Sequence, residues 1–425
     1  MLPDVSSATA RRRLPSGPVN APRVGETIFA GAVLILLASG LVPVLIAGGG
    51  EYSTDPVSLA LQALGCLAAT VRLIRSPGGL SRAVERLDPA ALALLSLLLL
   101  SVAWSVDPLV TCRRVAAVIG ATLFGLYLAD RWPLEEQVWL VTRTLAVAAV
   151  ASAAMALFLP GLGLENGAAW SGIFLTKNVL ARLMTLGLLA AVVCASRPTW
   201  PAVLRGQAFA CGLVCLVVLL QASSAFATLV AAAVLVTWVT VFVVSRTVYP
   251  LRQALVTLIV VALIGALVLV ASSFSLLLDA LGRDASLTGR LPLWNSVVQA
   301  ISERPWFGYG YGAFWHGWEQ PSTQVLLENP WGPPNSHNGL LETALDVGVF
   351  GVALWLLALL RPLVRGVRTA LRSGDGATPW PLALVLLLIA YNVTEVTTMG
   401  NLLFWALFVS ASSRQVQPAV AARTL

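Results

Sequence analysis

The sequence predicts an all-α polytopic membrane protein with about twelve transmembrane helices, and three observations support this fold class. Of its 425 residues, 58% are hydrophobic and 11% are charged, whereas a soluble domain has about 25% charged residues. Apolar stretches recur along nearly the whole chain, each close to the roughly 20 residues that cross about 30 Å of hydrocarbon as a helix. Lysine and arginine residues collect at alternate ends of these stretches, as they do in membrane proteins.

The apolar stretches define the predicted spans and their order. They cover residues 27–49, 57–74, 89–106, 113–129, 137–159, 178–195, 203–221, 225–244, 251–273, 339–360, 381–397 and 400–413. A single helix over 381–413 would be about 50 Å long. We therefore expect a hairpin there, which turns near Met399, Gly400 and Asn401.

The placement of the basic residues predicts the orientation. Nineteen of the 27 lysines and arginines lie on one side if there are twelve spans with both termini in the cytoplasm. The net charge of +7 follows the membrane in this way and does not indicate nucleic-acid binding. The first span is too long for a cleaved signal peptide, so the tail before it is interpreted as a cytoplasmic flank. The predicted organisation is a tail (1–26), spans 1–9 (27–273), an outer loop (274–338), spans 10–12 (339–413) and a second tail (414–425).

Eight basic residues do not follow this sidedness. They are Arg113, Arg114, Arg143, Lys177, Arg182, Arg283, Arg290 and Arg304. A cation deep in a membrane costs about 2.5–3.5 kcal/mol, so it usually has an anionic partner. Each could form a salt bridge within the bundle or extend to the interface. As a group that faces one compartment, they indicate an anionic ligand, and diphosphate suits guanidinium groups best.

Cysteine and histidine are too sparse and scattered to predict a metal site. The five cysteines, Cys66, Cys112, Cys194, Cys211 and Cys215, lie within or beside the spans, and their spacing matches neither a zinc site nor a disulfide framework. We interpret them as small packing residues.

The outer loop predicts a short amphipathic helix followed by an aromatic segment. Its apolar face would contain Leu291, Trp294, Val297, Val298 and Ile301, and Pro305 would end it. The aromatic residues that follow suit an interfacial belt or stacking on sugar rings. The segment "GYGYGA" (308–313) also matches G-x-G-x-x-A. No strand or βαβ unit surrounds it, so we expect glycines that let a loop bend sharply, not a dinucleotide site.

Two helix starts carry candidate ligand-binding residues. Lys177 and Asn178 begin span 6, with Arg182 inside it, and the free N–H groups of a helix start could help to bind phosphate. His337 precedes span 10, which carries Glu342 and Asp346 four residues apart. The histidine could be an interfacial residue beside an N-cap formed by Asn335 or Ser336. It could also remove a proton from a sugar hydroxyl near neutral pH. The other histidine, His316, lies among tryptophans, which suggests an interfacial role.

Three stretches carry a family resemblance. "SGIFLTKNVLARLM", "TGRLPLWNSVVQAISERPWFGYGYGAFW" and "PNSHNGLLETALDVGVFG" resemble the O-antigen ligase and polysaccharide polymerase superfamily. Within it they look most like the ExoQ-type exopolysaccharide production proteins. The resemblance implies a GT-C-like glycosyltransferase fold that acts on undecaprenyl-diphosphate-linked sugars without a metal or another cofactor.

The resemblance also implies site residues. Lys177, Asn178, Arg290 and Arg304 would bind the diphosphate, with Arg182 as a further candidate. His337 would remove the acceptor proton as catalytic base or orient the acceptor, and we expect Glu342 to stabilise the imidazolium form. Asn338 and Glu395 are additional candidates for the same cavity, although Glu395 could equally pair with Arg143 or Arg182 for structure. One departure is Ala225 in "QASSAF", where many members of the superfamily have an arginine.

Three functions follow as alternatives. The first is polymerisation of lipid-linked repeat units at the periplasmic face of the bacterial inner membrane, with a flippase and a chain-length regulator as candidate partners. The second is ligation of O-antigen to lipid A-core. The third is transport, which is disfavoured because transporters of this size usually show two related halves with midplane binding residues. The sequence shows no internal repeat.

Overall fold

The computed structural model describes residues 24–47, 56–76, 78–197, 199–244, 290–315, 317, 321–372 and 380–413. Three parts of the prediction lie outside the described residues: predicted span 9 (251–273), the first part of the predicted outer loop (274–289) and His316. So do residues 1–23 and 414–425, which form most of the two predicted tails.

Helices dominate the described residues. The first half contains α1 (Val24–Leu37), α2 (Val42–Ala47), α3 (Pro56–Ile74), α4 (Gly79–Glu85), α5 (Pro89–Leu100), a 3-10 turn (Ser101–Ala103), α6 (Pro108–Arg131), α7 (Leu134–Phe158) and α8 (Pro160–Gly163). The second half contains α9 (Lys177–Ala195), α10 (Ala202–Gln221), α11 (Ala225–Val244), α12 (Arg290–Glu303), α13 (Thr323–Glu328), α14 (Gly339–Arg372), α15 (Trp380–Tyr391) and α16 (Leu402–Ser412). The bounds agree closely with the predicted spans over α3, α7, α9, α10 and α11.

Six helices of the described part are long and apolar enough to cross a membrane. They are α3, α6, α7, α9, α10 and the first 31 residues of α14 (Gly339–Thr369). A seventh span results if α4 and the helix that runs over Pro89–Ala103, which are bent by 107°, are counted together. The protein is therefore a mainly α-helical polytopic membrane protein, as predicted. The count of twelve and the outer loop stay predictions.

The first predicted span is not one continuous helix. Ser39 and Leu41 adopt positive φ values of 56° and 64°, which ends α1 before α2 begins. The chain bends here because Leu41 N–H donates to the Ile173 carbonyl at 2.6 Å. Gly40 lies so close to Phe174 that an added Cβ would meet its ring at 2.7 Å. The interruption is thus a contact with the segment before α9, which apolar patterning does not reveal.

Two short strands were not predicted. β1 (Leu164–Glu165) pairs antiparallel with β2 (Ala169–Trp170) around a turn with Asn166 and Gly167 at positive φ. This hairpin matters for the site because it holds Glu165 next to the start of α9.

The core of the bundle lies around α9, which is buried on nearly all sides between α7, α10, α11 and α15. Gly187 permits close packing with α10, since an added Cβ would lie 2.8 Å from Cys215 Sγ. Cys66, Cys194 and Cys215 are buried and carry free thiols. For these three, the packing interpretation is confirmed.

The two ends of α6 lie in different environments. At its N-terminal end, the preceding Val106 N–H donates to the Tyr309 carbonyl at 2.9 Å. At the C-terminal end, Arg131 forms an ion pair with Glu26 at 2.7 Å, and Asp130 pairs with Arg86 at 3.2 Å. Since 24 residues of helix span about 36 Å, the segment after α12 and these ion pairs lie at opposite ends of the bundle.

Candidate active site

His337 lies in the turn between α13 and α14. Its backbone adopts a φ of +48°, a left-handed conformation that is uncommon for residues other than glycine. Its N–H donates to Asn335 Oδ1 at 2.8 Å. The residue that caps α14 is Asn338, whose Oδ1 accepts from the N–H groups of Leu340 at 2.9 Å and Leu341 at 3.1 Å. The predicted cap at Asn335 or Ser336 is therefore wrong by two or three residues, because Asn335 folds its side chain over the turn itself.

The imidazole of His337 contacts an aromatic ring and a carboxylate. The ring of Trp331 lies 5.7 Å away, centroid to centroid. His337 Nδ1 lies 3.8 Å from Glu395 Oε2, and the side chain is 17% exposed. Nδ1 is buried and forms no hydrogen bond with any described residue. The imidazole is therefore shielded on its Nδ1 side and unsatisfied there.

One arginine bonds to the same carboxylate, and a second bonds to Thr397, two residues further along the chain. Arg290, the first residue of α12, donates from Nη2 to Glu395 Oε1 at 3.1 Å. Arg182 of α9 is 7% exposed, donates to Thr397 Oγ1 at 3.2 Å and lies 5.7 Å from the Phe404 ring. Its Nε forms no hydrogen bond among the described residues.

His337, Glu395, Arg290 and Arg182 thus form one group, here named the His337 cluster. The two guanidinium groups carry two positive charges and the carboxylate carries one negative charge, so the cluster has a net charge of +1 when the imidazole is neutral. A surplus cation and an unpaired guanidinium nitrogen make this the place where an anionic group would be stabilised.

Glu395 lies in a non-helical connection, not in a span. Sequence patterning places it in a helix over 381–397, but α15 ends at Tyr391. Asn392 replaces the helical hydrogen bonds: its Oδ1 accepts from the N–H groups of Thr397 and Thr398 at 3.2 and 3.3 Å, and its Nδ2 donates to the Leu388 carbonyl at 2.7 Å. The ten residues before α16 are therefore free to bring Glu395 and Thr397 towards α9 and α12.

Glu342 supports the turn that carries His337. Its Oε2 accepts from Ser336 N–H at 2.8 Å, and its Oε1 accepts from Trp315 Nε1 at 3.0 Å. The residue is 7% exposed. Among the described contacts, the carboxylate beside the imidazole is that of Glu395, while Glu342 binds the residue that precedes it in the chain.

Asp346 anchors the glycine loop, residues 308–312. Its Oδ1 accepts from Gly312 N–H at 2.7 Å, and its carbonyl accepts from Gly310 N–H at 2.9 Å. Gly308, Gly310 and Gly312 all have positive φ, and an added Cβ at Gly308 would lie 2.4 Å from the Leu345 carbonyl oxygen. The predicted sharp bend is confirmed, and the loop lies against α14 where Val347 and Gly348 interrupt the helix.

Arg114 is a residue of this region to which sequence reasoning assigned no partner. An added Cβ at Gly312 would lie 2.1 Å from Arg114 Cδ. The guanidinium interacts electrostatically with the carboxylates of Glu342 and Asp346. The signal available in the sequence was its place among the eight basic residues that do not follow the predicted sidedness.

The start of α9 is already occupied by a carboxylate. Lys177 N–H donates to Glu165 Oε2 at 2.7 Å, and Thr176 Oγ1 caps Val179 N–H at 3.3 Å. Asn178 Oδ1 accepts from Ser224 at 3.3 Å. Glu165 therefore takes the position in which the helix start would bind phosphate. The structure does not bring Lys177 or Asn178 into the described contacts of the His337 cluster.

Arg304 lies in a different place again. Its guanidinium stacks over the Tyr309 ring at 5.0 Å and is exposed. It lines an open depression of about 450 Å³ together with Trp104, Trp306 and Phe307. Burial and a hydrogen bond to Glu303 raise the pKa of the Tyr309 hydroxyl, which also donates to the Ala300 carbonyl at 2.8 Å.

The predicted amphipathic helix is present as α12, but its buried face is rotated. Leu293, Ser296, Val297 and Ala300 are buried, whereas the predicted apolar residues Leu291 and Val298 are 41% and 52% exposed. The helix packs on α13 and α14, because Ser296 bonds to Glu328 at 2.5 Å and to Asn329 at 3.2 Å. It ends at Glu303, two residues before Pro305, as predicted. Within the described part of the chain, no three His, Cys, Asp or Glu side chains gather as metal ligands would.

Comparisons with known proteins agree with the motifs. A family model described as O-antigen ligase matches residues 207–356, which include Arg290 and His337 but not Arg182 or Glu395. The chain is 28% identical over 237 residues to the exopolysaccharide production protein ExoQ of Rhizobium meliloti (strain 1021). That alignment covers 51% of this chain and 53% of ExoQ, so the chain spans about half the length of the curated relative it matches. The predicted resemblance is confirmed: residues 207–356 are similar to the O-antigen ligase family, and about half of this polytopic membrane protein is similar to ExoQ.

Proposed function

We propose that this protein is a membrane glycosyltransferase that polymerises undecaprenyl-diphosphate-linked repeat units of a polysaccharide. The observation that carries the proposal is the His337 cluster, in which Glu395 joins the His337 imidazole to Arg290, while buried Arg182 bonds to Thr397, two residues after Glu395. A base beside a positively charged site is what glycan transfer from a diphosphate requires.

The chemistry assigns one role to each group. His337 takes the proton of the acceptor hydroxyl at Nε2, because Nδ1 is the ring nitrogen beside Glu395. The acceptor oxygen bonds to the anomeric carbon while the bond from that carbon to the diphosphate breaks. The electron pair leaves with the diphosphate, whose growing charge Arg290 and Arg182 stabilise through their guanidinium N–H groups. The proposal needs no metal.

The proposed reaction is also assigned to one side of the membrane. The active site faces the periplasm of a bacterial inner membrane, because the His337 cluster and the predicted outer loop lie away from the arginine-rich end of the bundle. The substrates are lipid-linked oligosaccharides within the membrane. A flippase that delivers the donor and a chain-length regulator are the proposed protein partners.

Ligation of glycan to lipid A-core is the second candidate, and the matched family model, described as O-antigen ligase, favours it. The two reactions share the donor and the base and differ only in the acceptor. The likeness to ExoQ, an exopolysaccharide production protein, favours the polymerase.

Analysis of a deletion strain tests the proposal. A polymerase mutant should accumulate a single lipid-linked repeat unit, whereas a ligase mutant should accumulate long lipid-linked polymer. Expression of the wild-type chain should restore the product, and expression of His337→Asn at equal membrane abundance should not. An unchanged glycan profile in the deletion strain would refute both functions.

A further inference from the structure

One carboxylate in the His337 cluster faces two groups that the proposed function needs at different moments. Glu395 Oε1 accepts from Arg290 Nη2 at 3.1 Å, while Glu395 Oε2 lies 3.8 Å from His337 Nδ1. The first distance is a hydrogen bond. The second distance is longer than a hydrogen bond, because the nitrogen and oxygen atoms of an N–H···O bond lie at most about 3.2 Å apart, but it exceeds that limit by less than about 1 Å.

The imidazole nitrogen on this side is an unsatisfied buried atom. His337 Nδ1 is buried and has no hydrogen-bond partner among the described residues. A buried polar nitrogen without a partner is costly, and such exceptions in a folded protein call for an explanation. Here the group that could satisfy Nδ1 is nearby but bonded to Arg290 through its other oxygen.

The carboxylate of Glu395 can turn without a change in the backbone. Glu395 lies in the non-helical connection between α15 and α16, and its N–H donates to the Tyr391 carbonyl at 2.9 Å. Rotation of the side chain about its own bonds shifts the carboxylate oxygens by the required distance without any change in that backbone bond.

We propose that Glu395 is the positioning residue for His337 and that the donor diphosphate releases it from Arg290. The inference rests on the proposed function. When phosphate oxygens take the N–H donors of Arg290, Glu395 loses its partner and is repelled by the new negative charge. Its carboxylate turns to His337 Nδ1, which then carries the ring proton, and Nε2 is left as the basic nitrogen.

This arrangement orders the reaction. Before the donor arrives, the tautomer of His337 is not fixed and the acceptor hydroxyl has no oriented base. Once the donor is bound, the hydroxyl proton moves to Nε2, the acceptor oxygen bonds to the anomeric carbon and the diphosphate leaves with the electron pair. The imidazolium that forms is stabilised by the Glu395 carboxylate at Nδ1.

Steady-state kinetics of Glu395→Gln provide the first test. Glutamine keeps the size of the side chain and an oxygen that can accept from Arg290, but it carries no charge to stabilise the imidazolium. We expect kcat to fall by about 10²-fold, within the range of a general base, and the KM for the lipid-linked donor to change by less than about threefold. Glu136→Gln, the same change at an exposed residue of α7, is the matched control and should resemble wild type.

Nitrogen NMR of the imidazole provides the second test. The chain has only two histidines, so in a His316→Gln background the ¹⁵N signals of a histidine-labelled sample come from His337 alone. Addition of undecaprenyl diphosphate should convert Nδ1 into a hydrogen-bonded N–H and leave Nε2 unprotonated. The same addition to the Glu395→Gln variant should not produce that state.

Three results would overturn the inference. The first is wild-type turnover by Glu395→Gln. The second is a His337 spectrum that does not respond to undecaprenyl diphosphate although the lipid binds. The third is loss of donor binding together with turnover in Glu395→Gln, which would place the carboxylate in the donor pocket only. Failure of the proposed function looks different, because neither the wild-type chain nor the Glu136→Gln control would then transfer glycan.

Discussion

Glu342 and Ser336 are joined by a 2.8 Å hydrogen bond from the Ser336 N–H to Glu342 Oε2. Ser336 immediately precedes His337, so a carboxylate in the first turn of α14 fixes the backbone from which the imidazole projects. The other oxygen of Glu342 accepts from Trp315 at 3.0 Å, which ties the segment after the glycine loop to the same point. His337 thus has its position set from outside the His337 cluster.

Replacement of Glu342 should therefore affect both stability and turnover. Glu342→Ala leaves the buried Ser336 N–H without an acceptor, at a cost of about 1–3 kcal/mol, and also frees the half-buried Trp315 Nε1. Turnover should fall because His337 is less well oriented. Glu342→Gln can satisfy one of the two donors and should be milder in both respects. Thermal unfolding in detergent and glycan transfer per folded molecule measure the two effects. Wild-type transfer by Glu342→Ala would show that this turn does not need the carboxylate.

Glycines of similar φ but different surroundings test the close approach of the glycine loop. Gly308 (φ +66°) has the Leu345 carbonyl oxygen 2.4 Å from an added Cβ, whereas Gly332 (φ +69°) has open space. Alanine at either position costs about 1–2 kcal/mol for the left-handed backbone. Gly308→Ala should cost more, because the clash is with backbone that cannot move aside. Equal unfolding temperatures for the two variants would contradict the packing of this loop on α14.

Sequence patterning predicts the helices better than their interruptions. Apolar runs and the need to cross about 30 Å of hydrocarbon decide where α3, α7 and α10 lie. Gly40 lies in a break where the chain packs against the distant Phe174 ring, and Glu395 lies in a break that local hydrogen bonds of the Asn392 side chain stabilise. Such contacts do not produce a periodic pattern of apolar residues, so the sequence does not reveal them.

The candidate site, like the fold, is only partly predictable from the sequence. Arg182, Arg290, His337 and Glu395 can be named from the sequence, because ionisable groups are rare in a membrane protein and their presence there suggests function. Their pairing is not encoded locally: the sequence suggests Arg143 or Arg182 as a partner of Glu395, whereas the structure pairs it with Arg290, 105 residues away. For Lys177, the missing information is the β1–β2 hairpin, which places Glu165 at the helix start.

Arg290 should require its planar guanidinium group and not only its charge. Arg290→Lys keeps the charge but loses the paired N–H donors that suit a diphosphate, so donor binding should weaken measurably, and Arg290→Ala should weaken it further. Arg205→Lys, at an exposed position of α10, is the matched control. Binding of undecaprenyl diphosphate to purified protein is the measurement. Equal affinity of wild type and Arg290→Ala would remove Arg290 from the donor site.

The predicted topology can be checked by thiol labelling. In a cysteine-free background, a single cysteine at Ser302, near the exposed end of α12, should react with an impermeant reagent in spheroplasts. A cysteine at Ser373, in the predicted cytoplasmic connection before α15, should react only after the membrane is permeabilised. The reverse pattern would invert the orientation and place the His337 cluster on the cytoplasmic side.

His337 itself provides the sharpest test, and asparagine is the most informative replacement. Asparagine tolerates the left-handed backbone of this position and keeps hydrogen-bonding capacity, but it has no nitrogen that takes a proton near neutral pH. As the base, His337 should contribute about 10²–10⁴-fold to turnover, so His337→Asn should accumulate normally in the membrane, bind undecaprenyl diphosphate and fail to transfer glycan. If His337 only shaped the turn, His337→Asn would transfer glycan at the wild-type rate, because the bond from its N–H to Asn335 and the Asn338 cap of α14 would both persist. Substantial transfer by His337→Asn together with inactivity of Arg290→Ala would keep the donor site and move the search for the base elsewhere in the His337 cluster, where Glu395 is the remaining group that can accept a proton.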